Sequence, residues 1–204
     1  MGEDDMYFSS VHETKPKKML RQIHELMSDA DAIVTYNGIK FDIPTLNKEF
    51  ILNNFLPPAP SKQIDLLPTC RRGFRFPSNK LDYVSQALGI GKKVKHEGHE
   101  LWVQCMAGDN AAWGRMQDYN ENDVVLLERL YNKLLPWMDR HPNRSTSGEY
   151  PCCPNCGGEN LQRRGYAITT TQKYPRYQCK DCGSWVRGNK TTYRASEKFT
   201  QVAI

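Results

Sequence analysis

The chain has 204 residues, enough for one medium domain and a small one. With 25% charged and 39% hydrophobic residues, no apolar run long enough for a bilayer and an acidic start, MGEDDMYFSS, the sequence argues against a membrane span and a secretory signal and points to the cytoplasm. Thiols stay reduced there, so its seven cysteines are expected as metal ligands or buried thiols before disulfides. The net charge of +5 is uneven: residues 1–150 carry 19 Lys+Arg against 20 Asp+Glu, a net of −1, and residues 151–204 carry 9 against 3, a net of +6. A basic tail on a near-neutral body predicts a polyanionic partner, most simply nucleic acid.

In chain order, MYFSSVH (6–12) reads as a strand. KPKKMLRQIHELMSDA sets Met19, Leu20, Ile23, Leu26 and Met27 at helical spacing. AIVTYN (32–37) is a short β-branched strand and IPTLNKEFILNNF (43–55) an amphipathic helix. SNKLDYVSQALG (78–89) predicts a further helix closed by Gly89. A loop rich in Gly, Lys and His (90–100) leads to NAAWGRM, a short helix. DYNENDVVLLERLYNKLL (118–135) is the longest helix, stopped by Pro136. Strands mixed with helices predict an α/β domain. The polar segment DRHPNRSTSGEYP (139–151) follows it, so the expected organisation is a domain over 1–138, a linker over 139–150, a small module over 151–190 and a tail over 191–204.

The module is too poor in long apolar side chains to build a core of its own. Its sequence supplies the remedy. CPNC (153–156) and CKDC (179–182) are two Cys-x-x-Cys knuckles 22 residues apart, and thiolates at that spacing converge on one tetrahedral zinc through Cys153, Cys156, Cys179 and Cys182. A closed site of this kind is structural. Glycines after each knuckle supply the left-handed backbone such turns use. The segment resembles the β zinc ribbons of transposases and nucleic-acid enzymes, with Tyr177 and Trp185 beside the second knuckle either packing the small core or stacking on bases. Arg163, Arg164, Lys173, Arg176, Lys180 and Arg187 are the candidate phosphate contacts.

Upstream, two stretches carry carboxylates. IVTYNGIKFDIPTL (33–46) places Asp42 where a strand gives way to a helix, as a helix cap, a metal ligand or both. In DYNEND, Tyr119 and Asp123 are four apart on a predicted helix and project from one face, where a hydroxyl and a carboxylate can orient a water beside a metal ion. Taken together, YNGIKFD and YNEND resemble the second and third motifs of DEDD-type 3′–5′ exonucleases, in the branch with tyrosine in the last motif. The resemblance runs over roughly residues 6–138 and takes in IDLLPT (64–69) and FPSNKLDYVSQALGIGKK (76–93), which look like phage and bacterial exonucleases of this group. It implies an RNase H-like fold and two divalent metals, Mg²⁺ or Mn²⁺, that activate a water for release of the terminal nucleotide. Carried over by position, Asp42 and Asp123 would be metal ligands, Tyr119 would orient the water, and Asn37 would support the site. Asp65 is a weaker supporting candidate, with a helix cap or surface acid as its plainer role.

The family's first motif, Asp-x-Glu, supplies two more carboxylates and does not occur in the chain. The expectation is therefore an incomplete sheet lacking its first strands, completed by a separate polypeptide, or else a catalytically inactive nucleic-acid-binding protein. DNA is favoured over RNA as the substrate, and no membrane partner is expected. His96 and His99 read as part of an exposed or phosphate-facing loop, and Cys70 and Cys105 as buried bystanders.

Overall fold

The computed structural model describes residues 6–94, 98–147 and 151–194. The chain forms two compact units that divide between Asn132 and Lys133.

The first unit is mixed α/β. Helix α1 (Pro16–Asp29) opens on proline, whose fixed φ suits a first turn. Its Leu20 and Met27 are buried with Phe50 of α2 (Asp42–Leu52), and Ile23, Ile33, Ile43, Leu46 and Phe55 close around them. Leu26, expected on the same face, lies one position off that row and is 48% exposed. Strand β1 (Ala32–Thr35) pairs in parallel with β2 (Lys62–Asp65), in a register that sets Thr35 opposite Asp65. These two strands are the whole sheet of this unit among the described residues. A β-strand, a helix and a parallel strand in succession are the order that a parallel pair requires.

Helices α3 (Leu66–Gly73), α4 (Leu81–Ala87) and α5 (His99–Met106) precede the long α6 (Asn110–Leu134). Gly89, just past α4, is left-handed at φ +68 and donates to Gln86 O at 3.0 Å, closing the helix as the sequence predicts. The separate helices expected over NAAWGRM and 118–135 are one continuous helix, because no breaker stands between them. Asp109 starts it, its carboxylate accepting from the N–H groups of Ala111 (2.8 Å) and Ala112 (3.3 Å). Gly114 in its interior is tolerated, with Ala112 and Met116 buried on either side.

The strand expected over 6–12 does not form. Ser10 turns the chain instead: its hydroxyl accepts from Glu13 N at 3.3 Å and its carbonyl from Thr14 N at 3.0 Å, a local pairing that competes with a ladder. His12, inside that turn, stacks on Trp113 with ring centroids 5.3 Å apart.

The second unit is the β module. After a short 3-10 turn at Leu135–Trp137, where Pro136 cannot continue a helix, comes another at Arg144–Ser147. Strands β3 (Leu161–Ile168) and β4 (Gln172–Cys179) form an antiparallel hairpin, and β4 also pairs with β5 (Trp185–Arg187) and β6 (Tyr193–Arg194). The threonine run at the hairpin tip closes it, Thr169 N donating to Gln172 O at 2.9 Å.

One glycine is fixed by packing. A Cβ added to Gly38 would sit 2.5 Å from Thr35 Cβ at the end of β1, too close for any rotamer to relieve. Gly38→Ala is expected to destabilise the protein by about 1–3 kcal/mol in urea unfolding. Gly73→Ala, where an added Cβ meets nothing within 4 Å, should be neutral or mildly stabilising in the same assay.

Candidate active site and metal centre

The loop after β1 is shaped by one carboxylate from β2. Asp65, the last residue of β2, accepts through Oδ1 from Asn37 N (2.7 Å) and Leu67 N (3.0 Å) and through Oδ2 from Ile39 N (3.4 Å). It therefore caps α3 and pins the neighbouring loop at once. Asn37 takes the left-handed conformation at φ +66, which asparagine tolerates better than most residues. Gly38 O then accepts from Phe41 N (3.2 Å) and Ile43 N (2.9 Å), and the chain enters α2 with Asp42 as its first residue. Phe41 holds the cap position, and the Asp42 carboxylate is exposed and takes no hydrogen bond among the described residues.

The second motif lies on α6. Tyr119 and Asp123, one turn apart, are brought together by Lys93, whose Nζ donates to Tyr119 OH at 2.9 Å and to Asp123 Oδ2 at 2.5 Å. The ammonium also lies 5.0 Å from the Tyr119 ring centroid. Burial works against the charged Lys93, but the hydrogen bonds to Asp123 and Tyr119 and the Asp123 charge outweigh it, and its pKa is held above the ordinary lysine value. The backbone of Lys93 is anchored as well. Its N–H donates to Asp82 Oδ1 at 2.8 Å, and that bond holds the Asp82 carboxyl below the usual carboxylate range. The other oxygen of Asp123, Oδ1, is buried and has no hydrogen-bond partner among the described residues. Tyr119 packs its ring against the cluster of Leu101, Cys105, Ala112 and Met116.

Asn37, Asp42, Asp82, Lys93 and Asp123 line one open groove of about 860 Å³. Asp65 is absent from its lining and acts from behind, through the loop. Tyr119 also is not part of the wall, and reaches the groove through Lys93. Tyr36, on the rim, donates to Asn79 O at 2.7 Å, and burial pushes its phenol pKa up. A hard divalent cation needs anionic oxygens, and among those in the groove are the uncommitted Asp42 carboxylate and the orphaned Oδ1 of Asp123, beside the Asp82 carboxylate whose Oδ1 already accepts from Lys93 N. The residues fit such an ion, with Oδ2 of Asp123 already engaged by Lys93.

Lys93 is the site residue that sequence reasoning missed. It lies 26 and 30 residues from its two partners, in a coil with no periodicity to betray it. Its only sequence signal is its place at the end of a segment, FPSNKLDYVSQALGIGKK, that resembles the exonucleases.

The second candidate centre lies in the β module. Cys153, Cys156, Cys179 and Cys182 bring their sulfurs within 4.8 Å of one another. Cys153 Sγ is 3.8 Å from Cys182 Sγ, and Cys156 Sγ is 3.7 Å from Cys179 Sγ. A tetrahedron with metal–sulfur bonds of about 2.3 Å has edges of about 3.8 Å, so the thiols stand at ligand spacing. The distances are far too long for disulfides. Burial pushes the Cys153 and Cys156 thiols up; against the same burial, the Ser184 hydroxyl and N–H and the neighbouring thiols bring Cys182 down to about 7. Gly157 (φ +78) and Gly183 (φ +86) are left-handed after their knuckles, as expected, whereas a Cβ added to Gly158 would push against the Asp181 carboxylate and force that side chain to move. Asn155 ties the first knuckle down, donating through Nδ2 to Leu135 O (3.0 Å), Met138 O (3.2 Å) and Ser184 Oγ (3.1 Å).

A family model of the RNase H superfamily, RNase_H_2, matches residues 4–135, which include every residue of the groove. The chain belongs to the RNase H superfamily. No curated protein matches it. Members of the RNase H superfamily are usually hydrolytic nucleases, so this membership suggests nuclease-type activity on nucleic acid with divalent metal use for the first unit. The cysteine centre lies outside the matched span and could bind a structural metal such as zinc. No helix among the described residues is long and apolar enough to cross a membrane.

The six basic candidates divide by position. Arg163, Arg164, Arg176, Lys180 and Arg187 are exposed and Lys173 is half-buried. All but Lys180, which sits on the second knuckle, belong to the sheet of β3, β4 and β5. His99 begins α5 and is exposed, while His96 lies outside the described residues. Cys70 and Cys105 are buried, as expected.

The Lys93–Asp123 pair carries a stability consequence. Each side chain is about a quarter exposed (29% and 24%), so Lys93→Met strips a partly desolvated carboxylate of its cation and is expected to cost about 1–2 kcal/mol in urea unfolding. Because the folded Lys93 pKa is raised, that cost is full below the ordinary lysine pKa of about 10.4 and fades as pH rises beyond it. A cost that grew with alkalinity would contradict the assignment.

Proposed function

We propose that this protein is a metal-dependent 3′–5′ exonuclease acting on nucleic acid, DNA before RNA, with a zinc-held ribbon that grips the substrate. The observation that carries the reading is that Asp42 and Asp123, from two separate motif stretches, line one groove while Asp123 Oδ1 is buried and unpartnered. In this reading Asp42 and Asp123 hold Mg²⁺ or Mn²⁺, which when bound supplies the Lewis acidity for phosphodiester hydrolysis. Tyr119, its oxygen fixed by Lys93, orients the attacking water at the edge of the groove. Asn37 and Asp65 hold the loop that presents Asp42. Lys93 adds a positive charge where a phosphate would enter.

Two carboxylates replace fewer waters around hard cations than four do. The edge of β1 away from β2 has no strand partner among the described residues, which supports pairing with a strand of a second polypeptide that brings further acids. A second reading, a catalytically inactive nucleic-acid-binding protein, is favoured by the Lys93–Asp123 pair, which already neutralises one of the two carboxylates.

The deciding experiment is digestion of 3′-labelled single- and double-stranded DNA in Mn²⁺ by the purified chain, beside Asp42→Ala and Asp123→Ala. The exonuclease reading expects stepwise shortening from the 3′ end that each substitution lowers at least ~100-fold. If shortening appears only with an added Asp-x-Glu peptide, the two-polypeptide form of the enzyme is right. No shortening under either condition, with salt-sensitive DNA binding intact, leaves the binding protein. For the ribbon, elemental analysis should find one zinc per chain, lost together with the ordered module in Cys153→Ser.

A further inference from the structure

The ribbon sheet sorts its side chains by face. Alternation along β4 puts Tyr174, Arg176 and Gln178 on one side, and the register sets Arg187 of β5 opposite Arg176 and Trp185 opposite Gln178. Two guanidinium groups are thus direct cross-strand neighbours, an arrangement that destabilises a sheet when nothing stands between them. Among the described residues no carboxylate pairs with either. Each lies over an aromatic ring instead, Arg187 over Tyr174 at 4.5 Å and Arg176 over Trp185 at 4.9 Å, and Arg176 Nε also donates to the Arg164 carbonyl at 3.1 Å, a neutral acceptor that leaves the charge without an anion. Trp185 does not serve the ribbon's core, for it remains 55% exposed.

The opposite face is more self-contained. There Arg163 and Lys173 share one ring, Tyr166, at 5.2 and 4.1 Å, and Arg163 Nη2 also donates to the Tyr166 hydroxyl at 2.9 Å. The face with Arg176 and Arg187 has the unmet need: two like charges lacking an anion, beside a half-open indole.

We propose that this face binds single-stranded nucleic acid, with phosphates taken by Arg176 and Arg187 and bases stacked on Trp185 and Tyr174. A duplex offers phosphates but hides its base faces, so it would answer the arginines and leave the rings idle. A single strand answers both. The inference rests on the nucleic-acid reading above and narrows it to the strand state of the substrate. Its test reads binding, so it fails or stands independently of cleavage.

The experiment is fluorescence anisotropy of the zinc-loaded full chain, without divalent activator, against labelled dT20, rU20 and a 20-base-pair DNA duplex at matched salt. The expected result is that one or both single strands bind about 10-fold or more tighter than the duplex, the tighter of the two identifying DNA or RNA. Trp185→Ala should weaken single-strand binding about 10-fold or more with little change for the duplex, and Trp185→Phe should restore most of it. Arg176→Gln with Arg187→Gln supplies a variant that does not threaten the fold. Removing the like-charge pair should leave the melting temperature unchanged or raise it, while single-strand affinity falls and its salt dependence flattens by about 0.7 per lost phosphate contact. Equal affinity for duplex and single strands, or an unchanged single-strand affinity in both the Trp185→Ala and the double arginine variants, would overturn the proposal.

Discussion

The site depends first on a carboxylate that never faces it. Asp65 closes β2 and gives its oxygens to three backbone N–H groups, two from the loop after β1 and one from the start of α3. Loops that follow neighbouring parallel strands emerge at the same end of the sheet, so one side chain can bind both. The left-handed Asn37, the close packing of Gly38 on Thr35 and the entry into α2 all occur in the loop that this contact fixes. The position of Asp42 is therefore inherited from hydrogen bonds made by a different strand. Three charge-assisted bonds to backbone donors are strong relative to the loop's other contacts, which makes the geometry available before any ligand arrives.

The opposite wall is organised by charge. Asp123 without a cation would be a partly buried anion facing Asp42 and Asp82 across one groove, and Lys93 offsets part of that repulsion. The division of labour within a single carboxylate has a consequence for chemistry: Oδ2 is held by the ammonium, which fixes the rotamer, and Oδ1 is left buried and unpartnered. A buried acceptor without a donor costs free energy, and a cation bound there would offset that cost. The same lysine gathers Tyr119, so hydroxyl and carboxylate are set by one group that is itself tethered through Asp82.

The parts of this arrangement that were legible in the sequence share a property: their determinants are local. The two Cys-x-x-Cys turns, the Tyr119–Asp123 spacing and the glycine that ends α4 each act over a few residues. Helix α6 reads as two pieces in the sequence although only Gln117 stands between them, and glutamine breaks no helix. The reading of residues 6–12 as a strand failed because apolar alternation says nothing about Ser10, whose own turn took the backbone's donors. Helices α3 and α5 are eight residues each, too short for periodicity to separate them from loops. Lys93 and the loop-pinning role of Asp65 were out of reach for a different reason, since both act across 26 or more residues and no local pattern encodes a long-range partner.

The ribbon shows the same logic with the sign reversed. In the groove, opposite charges are paired and one oxygen is left waiting. On the sheet, like charges face one another and the aromatic rings moderate a repulsion that they do not remove. A stability-driven sequence would place an acid opposite Arg176, since an opposite-charge cross-strand pair stabilises where a like pair does not. In a module too small to rely on a hydrophobic core, a structural metal held by the four thiols, which lie within 4.8 Å of one another, would cover the stability lost to two facing arginines. With a metal bound, the cysteines would do more than fold the ribbon: they would free its surface to carry the arrangement proposed for a polyanion.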